Sequence, residues 1–410
     1  MTTLRAGLHD AIGELARFNS APELGGITRE VHTPEYVMAR EFVASRMAAH
    51  GLQTRVDAVG NLIGTLEGAQ PALPRVVTGS HIDTTLNAGR YDGVVGVLGG
   101  VEAVARLAAG PRPRRTIEVI AFAGEEPRFG MGCLGSRLMN GRLCRADLDK
   151  LHDANGITLA SALREVGLEP DRAGEARVPS GDVHAVVELH VEQGGFLESE
   201  GVRLGVVTRI AAAHDLRITI NGRAVHSGAT PMHLRQDALA GAAEATLSVE
   251  RLARESSSGT TVGTVGVLTP FPGAVNVVPG AATMIVDIRD SDKDARQRVI
   301  DAFQQELGEI CSRRGLTVSV EVIQDNQPSA CHPLVIDAAR ESCREAGETY
   351  LEMASGAYHD CMSFAPEVPI GMIFVPSAGG ISHAPDEFTA PEDIDLGVEI
   401  LSATLDRLAN

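Results

Sequence analysis

RVVTGSHIDTTLNAGRYDGVVGVLGGVEAVARLAAG, residues 75–110, is the stretch on which the fold turns. It opens on the short apolar run Val76–Ile82, breaks into a polar loop, and resumes near Val94 as an apolar segment of helical length. Short apolar runs of this kind suit strands buried on both faces. Strand, loop and helix in succession form the unit from which parallel sheets are assembled. Thr116–Ala123 and His184–Leu189 are two further runs of the same character, with predicted helices at about 93–109 and 133–141. The expected fold class is therefore α/β with a largely parallel sheet.

Outward from this stretch the signals are local. Thr33-Pro34-Glu35 reads as an N-cap, a proline at the first helical position and an acidic first turn. The helix so started should run to about His50, where Gly51 suits its C-terminal cap. Leu52–Ala58 and Asn61–Leu66 read as paired strands around a Gly-Asn turn. At the start of the chain Leu4, Leu8, Ile12 and Leu15 mark one helical face, with no long apolar leader segment.

The character changes after about Ile210. Leu216–Asn221, Thr260–Leu268, Ala282–Arg289 and residues 316–324 read as longer, alternating strands, with helices at about 232–254 and 293–314. That is a β-α-β-β-α-β order, the ferredoxin-like arrangement. From Gln324–Pro333 the chain returns to helix–strand alternation and ends in a helix from about Pro391. The reading is a larger domain, residues 1–211 and 328–410, interrupted by an inserted α+β domain, residues 212–327. A chain of 410 residues is long enough for two cores.

A formal net charge of −18 argues against nucleic-acid partners, whose recognition rests on Lys and Arg. The most apolar stretch, Gly93 to Leu107, is interrupted by Glu102 and falls short of the roughly 20 residues a membrane span needs. Cys133, Cys144, Cys311, Cys331, Cys343 and Cys361 occur singly, which reads as reduced, mostly buried thiols and a cytoplasmic address.

Five dispersed residues carry the chemistry: His81 in GSHIDT, Asp92 in YDGVVG, Glu126 in FAGEEPRFG, His190 in ELHVEQG and His383 in GISHAPDEF. Any one of these histidines alone would read as an ordinary hydrogen-bonded residue, and Asp92 alone equally as an N-cap or as a carboxylate bridging two ions. Histidines at three predicted strand ends or the loops after them, with carboxylates at comparable places, point instead to a pair of divalent cations. Asp83, two residues beyond His81, could accept the other imidazole N–H and fix its tautomer. Adjacent Glu125 and Glu126 need a cation or a raised pKa to coexist. The economical division makes Glu126 a ligand and Glu125 a general base.

These motifs, with AVHSGATPMHLRQDALA, NVVPG, DIRD and IFVPSAGGISHAPDEF, resemble the M20-type metallohydrolases over about residues 10–405. The branch they resemble is that of the hydantoinase/carbamoylase amidases, which includes N-carbamoyl-L-amino acid hydrolases, allantoate amidohydrolases and β-ureidopropionases. ELHVEQG is similar to this branch rather than to the related peptidases, which usually have a carboxylate where His190 stands.

The resemblance implies His81, Asp92 and His190 on one ion and Asp92, Glu126 and His383 on the other, with Glu125 as base. It implies substrate contacts at Gln193, His226, Asn276, Arg289 and the backbone near Gly356. It also implies that the inserted domain serves as lid and homodimer contact, with His226 reaching the other subunit's site and aiding catalysis there. Arg289 suits bidentate pairing with a substrate carboxylate, and Asp287 shares its strand face. Two departures stand out: Tyr358 where many members carry a small residue, and Ser227 where alanine is frequent. His and carboxylate ligands suit zinc, manganese, cobalt or nickel. The expected activity is cleavage of a linear ureido or amide C–N bond of a small acid, giving ammonia and carbon dioxide from an N-carbamoyl amino acid. An N-acyl amino acid amidase or dipeptidase is the alternative on the same scaffold. A catalytically inactive binding protein is a third reading, against which the complete set of ligands and base argues.

Overall fold

The computed structural model describes the backbone of residues 2–410 and the side chains of residues 7–410. Leu4 of the predicted N-terminal helical face lies outside the described side chains; Leu8, Ile12 and Leu15 of that face are buried. The chain forms two compact units. One comprises Met1–Thr208, Cys331–Met353 and His359–Asn410, the other Arg209–Ala330 with Ala354–Tyr358.

The first segment carries helices α1 (Thr2–Leu15), α2 (Pro34–Ala49), α3 (Val94–Ala108), α4 (Leu134–Met139), α5 (Leu159–Glu165) and α6 (Phe196–Glu200). Its strands are β1 (Gln53–Val56), β2 (Leu62–Leu66), β3 (Arg75–His81), β4 (Ile117–Phe122), β5 (Val183–Val191) and β6 (Gly205–Ile210). The second unit follows with β7 (Ala212–Asn221), β8 (Val225–His226), α7 (Ala238–Arg254), β9 (Val262–Phe271), β10 (Val277–Val278), β11 (Ala281–Asp290), α8 (Lys293–Arg314) and β12 (Thr317–Asp325). The chain returns through β13 (Ser329–Ala330), α9 (Pro333–Glu345), β14 (Leu351–Ser355), β15 (Ile370–Val375) and α10 (Pro391–Ala409).

The large sheet runs β1-β2-β4-β3-β5-β15-β6-β13, with β14 also beside β6. Its centre, β4-β3-β5-β15, is parallel; β1–β2, β2–β4, β15–β6 and β6–β13 are antiparallel. The expectation of a largely parallel sheet is thus corrected to a mixed one. The reason at the first flank is local. The Asp57 carboxylate accepts the N–H groups of Val59 and Asn61 and closes a hairpin, which needs no crossover helix. In the parallel centre the register pairs His81 with Phe122 and His190 with Phe374. Four strands therefore end along one edge. Their side chains are buried throughout β4 and β15 and nearly so in β3 and β5, matching their continuous apolar runs.

Thr33 caps α2, its hydroxyl accepting the Tyr36 N–H at 3.3 Å, and Pro34 occupies the first helical position. In the second unit β12-β7-β11-β9 form an antiparallel sheet. Its β-α-β-β-α-β order buries Leu216, Ile218, Met284, Val286 and Ile288 against Val249, Phe303 and Leu307 of α7 and α8. The helix expected from residue 232 begins only at Ala238, where Asp237 caps the Ala240 N–H; Met232–Leu234 make a separate short turn. Ala354–Tyr358, read in sequence as part of the larger domain, group with the second unit, where the Ala211 N–H donates to the Ser355 carbonyl. No helix of the described residues is long and apolar enough to cross a membrane. All six thiols are free, and only Cys144 is exposed.

Candidate metal centre

The shared strand edge gathers the candidate ligands. His81 ends β3 and His190 lies near the end of β5; both are buried. Their Nδ1 atoms lie 3.0 Å from the Asp83 carbonyl and 2.8 Å from the Val191 carbonyl. A carbonyl only accepts, so each Nδ1 carries the proton and each Nε2 presents a lone pair. Those lone pairs face Asp92, whose Oδ1 lies 3.8 Å from His81 Nε2 and 3.3 Å from His190 Nε2. Asp92 is not the N-cap of α3. That position is Gly93, with φ +66°, and a Cβ there would come within 2.5 Å of the His81 ring. Glycine is required twice over, for the backbone and for the imidazole.

Asp83 orients His81 through its backbone carbonyl rather than its carboxylate. The carboxylate instead accepts the N–H groups of Gly124 (3.2 Å) and Glu126 (2.9 Å), pinning the turn that follows β4. This turn presents the paired glutamates. Glu125 Oε2 lies 3.8 Å from His81 Nε2, and Glu126 Oε1 lies 3.6 Å from His383 Nε2. Burial, followed by the charge of Asp92, pushes the Glu126 carboxyl up to about 7. Burial also raises Glu125 well above the usual carboxylate range, with Glu126 and Asp360 adding to it against the pull of His81. So many carboxylates at one point call for positive charge between them.

His383 completes a second set. It belongs to the loop after β15, has φ +54°, and its Nε2 lies 3.0 Å from Asp92 Oδ2. That hydrogen bond to Asp92 raises its pKa to about 9. Gln193 lies alongside, its Nε2 3.3 Å from His383 Nε2 and its backbone N–H donating to Ser377.

One residue missed by the sequence reading ties the loops together. Buried Glu387 accepts the N–H groups of Tyr91 and Asp92 through Oε2, and the Ser382 hydroxyl through Oε1. A second omission is the group of Glu188 and His359, whose ligand atoms lie within 4.8 Å of one another and of His190. Glu188 stands two residues before His190 and so shares its strand face, a signal that was available.

The remaining predicted contacts belong to the second unit, and Gly356 with them. His226 and Asn276 are brought together by the β8–β10 pair, where the Ser227 N–H donates to the Asn276 carbonyl. His226 Nδ1 accepts two backbone N–H groups, from Gly228 and Ala229, which leaves Nε2 to carry the proton. Arg289 is paired through Nε with both oxygens of Asp287, at 3.0 and 2.8 Å.

Two groups could each hold a cation: His81, Asp92 and His190, and Asp92, Glu126 and His383, with ligand atoms within 4.8 Å of one another. The donor chemistry fits. Two imidazole lone pairs converge, and Asp92 Oδ1 is buried without a hydrogen-bond partner among the described residues. A mixed α/β sheet whose parallel strands end at two such donor sets is the framework of a metal-binding protein.

Comparison with known proteins gives the class its family. Residues 77–407 match Peptidase family M20/M25/M40, and the chain belongs to that family. It is 42% identical to an N-carbamoyl-L-amino acid amidohydrolase of Geobacillus stearothermophilus, covering 97% of this chain and 96% of the relative. It is 41% identical to the ureidoglycolate hydrolase of Arabidopsis thaliana, covering 98% and 86% respectively. Among solved structures, a hydantoinase/carbamoylase family amidase from Burkholderia multivorans superposes with a TM-score of 0.89 at 32% identity, covering 99% of this chain and 98% of that one. The chain is thus a hydrolase of the amidohydrolase branch, in a family that typically depends on metal.

Proposed function

We propose that the chain hydrolyses the linear C–N bond of a ureido acid, an N-carbamoyl amino acid or a close relative, releasing ammonia, carbon dioxide and the amino acid. The observation that carries this reading is Asp92, whose two oxygens face two separate donor sets beside the Glu125 carboxylate. The named relatives support the substrate class, since ureidoglycolate and N-carbamoyl amino acids are both linear ureido acids.

Divalent ions of zinc, manganese, cobalt or nickel, held by His81, Asp92 and His190 and by Asp92, Glu126 and His383, would supply an activated water and an electrophile for the substrate carbonyl. Glu125 takes a proton from the attacking water and passes it to the departing nitrogen. His226 donates from Nε2 to the oxygen on which negative charge develops. Arg289 binds the substrate carboxylate as a fork, leaving Asp287 to orient the guanidinium. Gln193, Asn276 and the backbone at Gly356 complete the contacts. The second unit acts as a lid and as the surface through which two copies pair, and the enzyme works in the cytoplasm.

A substrate panel tests the reading. Purified, metal-loaded protein should release ammonia from N-carbamoyl amino acids or ureidoglycolate. Amine release from N-acetyl amino acids or dipeptides, without ammonia from any ureido acid, would replace it with an acylase or peptidase.

A further inference from the structure

In the second unit, two carboxylates and one guanidinium share a patch of sheet. Side chains alternate along β7 and β11. Leu216, Ile218, Val286 and Ile288 are buried on the helix side, and Asp215, Arg217, Asp287 and Arg289 take the other face. The register sets Asp215 directly opposite Asp287. Arg289 stands two residues beyond Asp287 on β11, diagonal to Asp215, a separation that long side chains span.

Only one of these carboxylates is matched. Arg289 Nε donates to both Asp287 oxygens, and its Nη2 lies 2.7 Å from Oδ2. Asp215 Oδ1 is buried without a hydrogen-bond partner among the described residues. The other charges nearby are paired elsewhere. Arg217, on the same face, lies 2.8 Å from Glu321 of β12. His214 alternates onto the helix side and lies 3.1 Å from Asp325. Across β12 the residue opposite Asp215 is uncharged Gln324, and on β9 the residue opposite Asp287 is Thr264. Like charges directly opposite on neighbouring strands repel. Burial, followed by the charge of Asp287, pushes the Asp215 carboxyl up to about 6, against the pull of Arg289 and His214. Folding gains nothing from an aspartate in this place. Its effect falls on Arg289, because a substrate carboxylate docked there would be a third negative group around that guanidinium.

We infer that Asp215 is a specificity-determining residue: its charge loosens the hold of Arg289 on any substrate carboxylate and selects against acids that carry a second negative charge. The inference rests on Arg289 as the partner of the substrate carboxylate. Asp215 takes a proton as pH falls through about 6, and the discrimination fades with its charge.

Ammonia release from N-carbamoyl-L-alanine, with one negative charge, and N-carbamoyl-L-aspartate, with two, is compared in the wild type, Asp215→Asn and Arg289→Gln. Asp215→Asn keeps the shape and removes the charge. It should lower KM by roughly threefold for the first acid and about tenfold for the second, with kcat unchanged. The ratio of wild-type to variant KM should shrink toward one as pH falls through about 6, since titration of the metal centre is common to both proteins. A change in kcat with KM unmoved would make Asp215 merely structural and overturn the inference. Equal KM values in wild type and Asp215→Asn, with KM raised in Arg289→Gln, would overturn it while keeping Arg289 as the carboxylate partner. An unchanged KM in Arg289→Gln would remove that role and the inference with it. Should neither ureido acid release ammonia, the N-acetyl derivatives of the same two amino acids, followed by amine release, decide by the same comparison.

Discussion

The two donor sets that meet at Asp92 are built in different ways. His81 and His190 stand on buried strands, and each has its tautomer set by a backbone carbonyl one or two residues on. His383 stands on a loop, in a left-handed backbone conformation, with its side chain 48% exposed. Strands buried on both faces cannot shift without disturbing the core, whereas a loop can. The inner set is therefore preorganised by the core, and the outer one is finished by a loop that the Glu387 carboxylate holds. An ion in the inner set should bind more tightly and exchange more slowly than one in the outer.

The most damaging change to this arrangement is Asp92→Asn, which weakens both sets at once. Turnover should fall by more than about 10³-fold, with loss of both ions by elemental analysis. Retention of two ions would show that Asp92 does not join the sets. Next comes Glu125→Gln, which spares both sets: metal content should stay at the wild-type level while kcat drops by about 10²–10⁴-fold. A metal-loaded variant with full activity would remove Glu125 as the base.

The comparison itself is tested by the pair His190→Ala and His383→Ala. Dialysis against a graded chelator should strip one ion readily from the His383 variant and leave the other, whereas the His190 variant should lose its inner ion at far lower chelator concentration than the wild type does. Identical release curves would mean that the two halves do not differ. The smallest effect is expected for Glu387→Gln, which keeps the shape of the brace between the Asp92 and His383 loops but weakens its acceptors. Outer-ion affinity should fall by about tenfold, with little change in Tm. A larger effect on the inner ion would reverse the assignment of what Glu387 supports.

Much of the inner set was legible because its signal is one-dimensional. A short apolar run followed by histidine marks a buried strand and its end, and Val76–Ile82 and His184–Leu189 carry that mark plainly. What one strand cannot reveal is which strands become its neighbours. That β15 lies between β5 and β6, and that the sheet flanks are antiparallel, depends on pairing over long separations. The role of Glu387 was hidden for the same reason, since its partners Tyr91 and Asp92 lie 296 and 295 residues away. Asp83 shows a finer limit. Its spacing from His81 predicted a carboxylate contact, but the chain curls so that the carbonyl makes it and the carboxylate serves Gly124 and Glu126.

The insertion of β15 between β5 and β6 also bears on how the protein is made. A ribosome delivers His81, Asp92, Glu126 and His190 first and then Arg209–Ala330 of the second unit before it reaches β15. Until Ile370–Val375 emerges, β5 and β6 each present an unpaired backbone edge, open to proteases and to other strands. A message truncated within that interval would yield a chain able to fold its second unit but with a gap in its central sheet and no His383 or Glu387. For this polypeptide, the candidate metal centre can close only after Ile370–Val375 and the loop behind it have emerged.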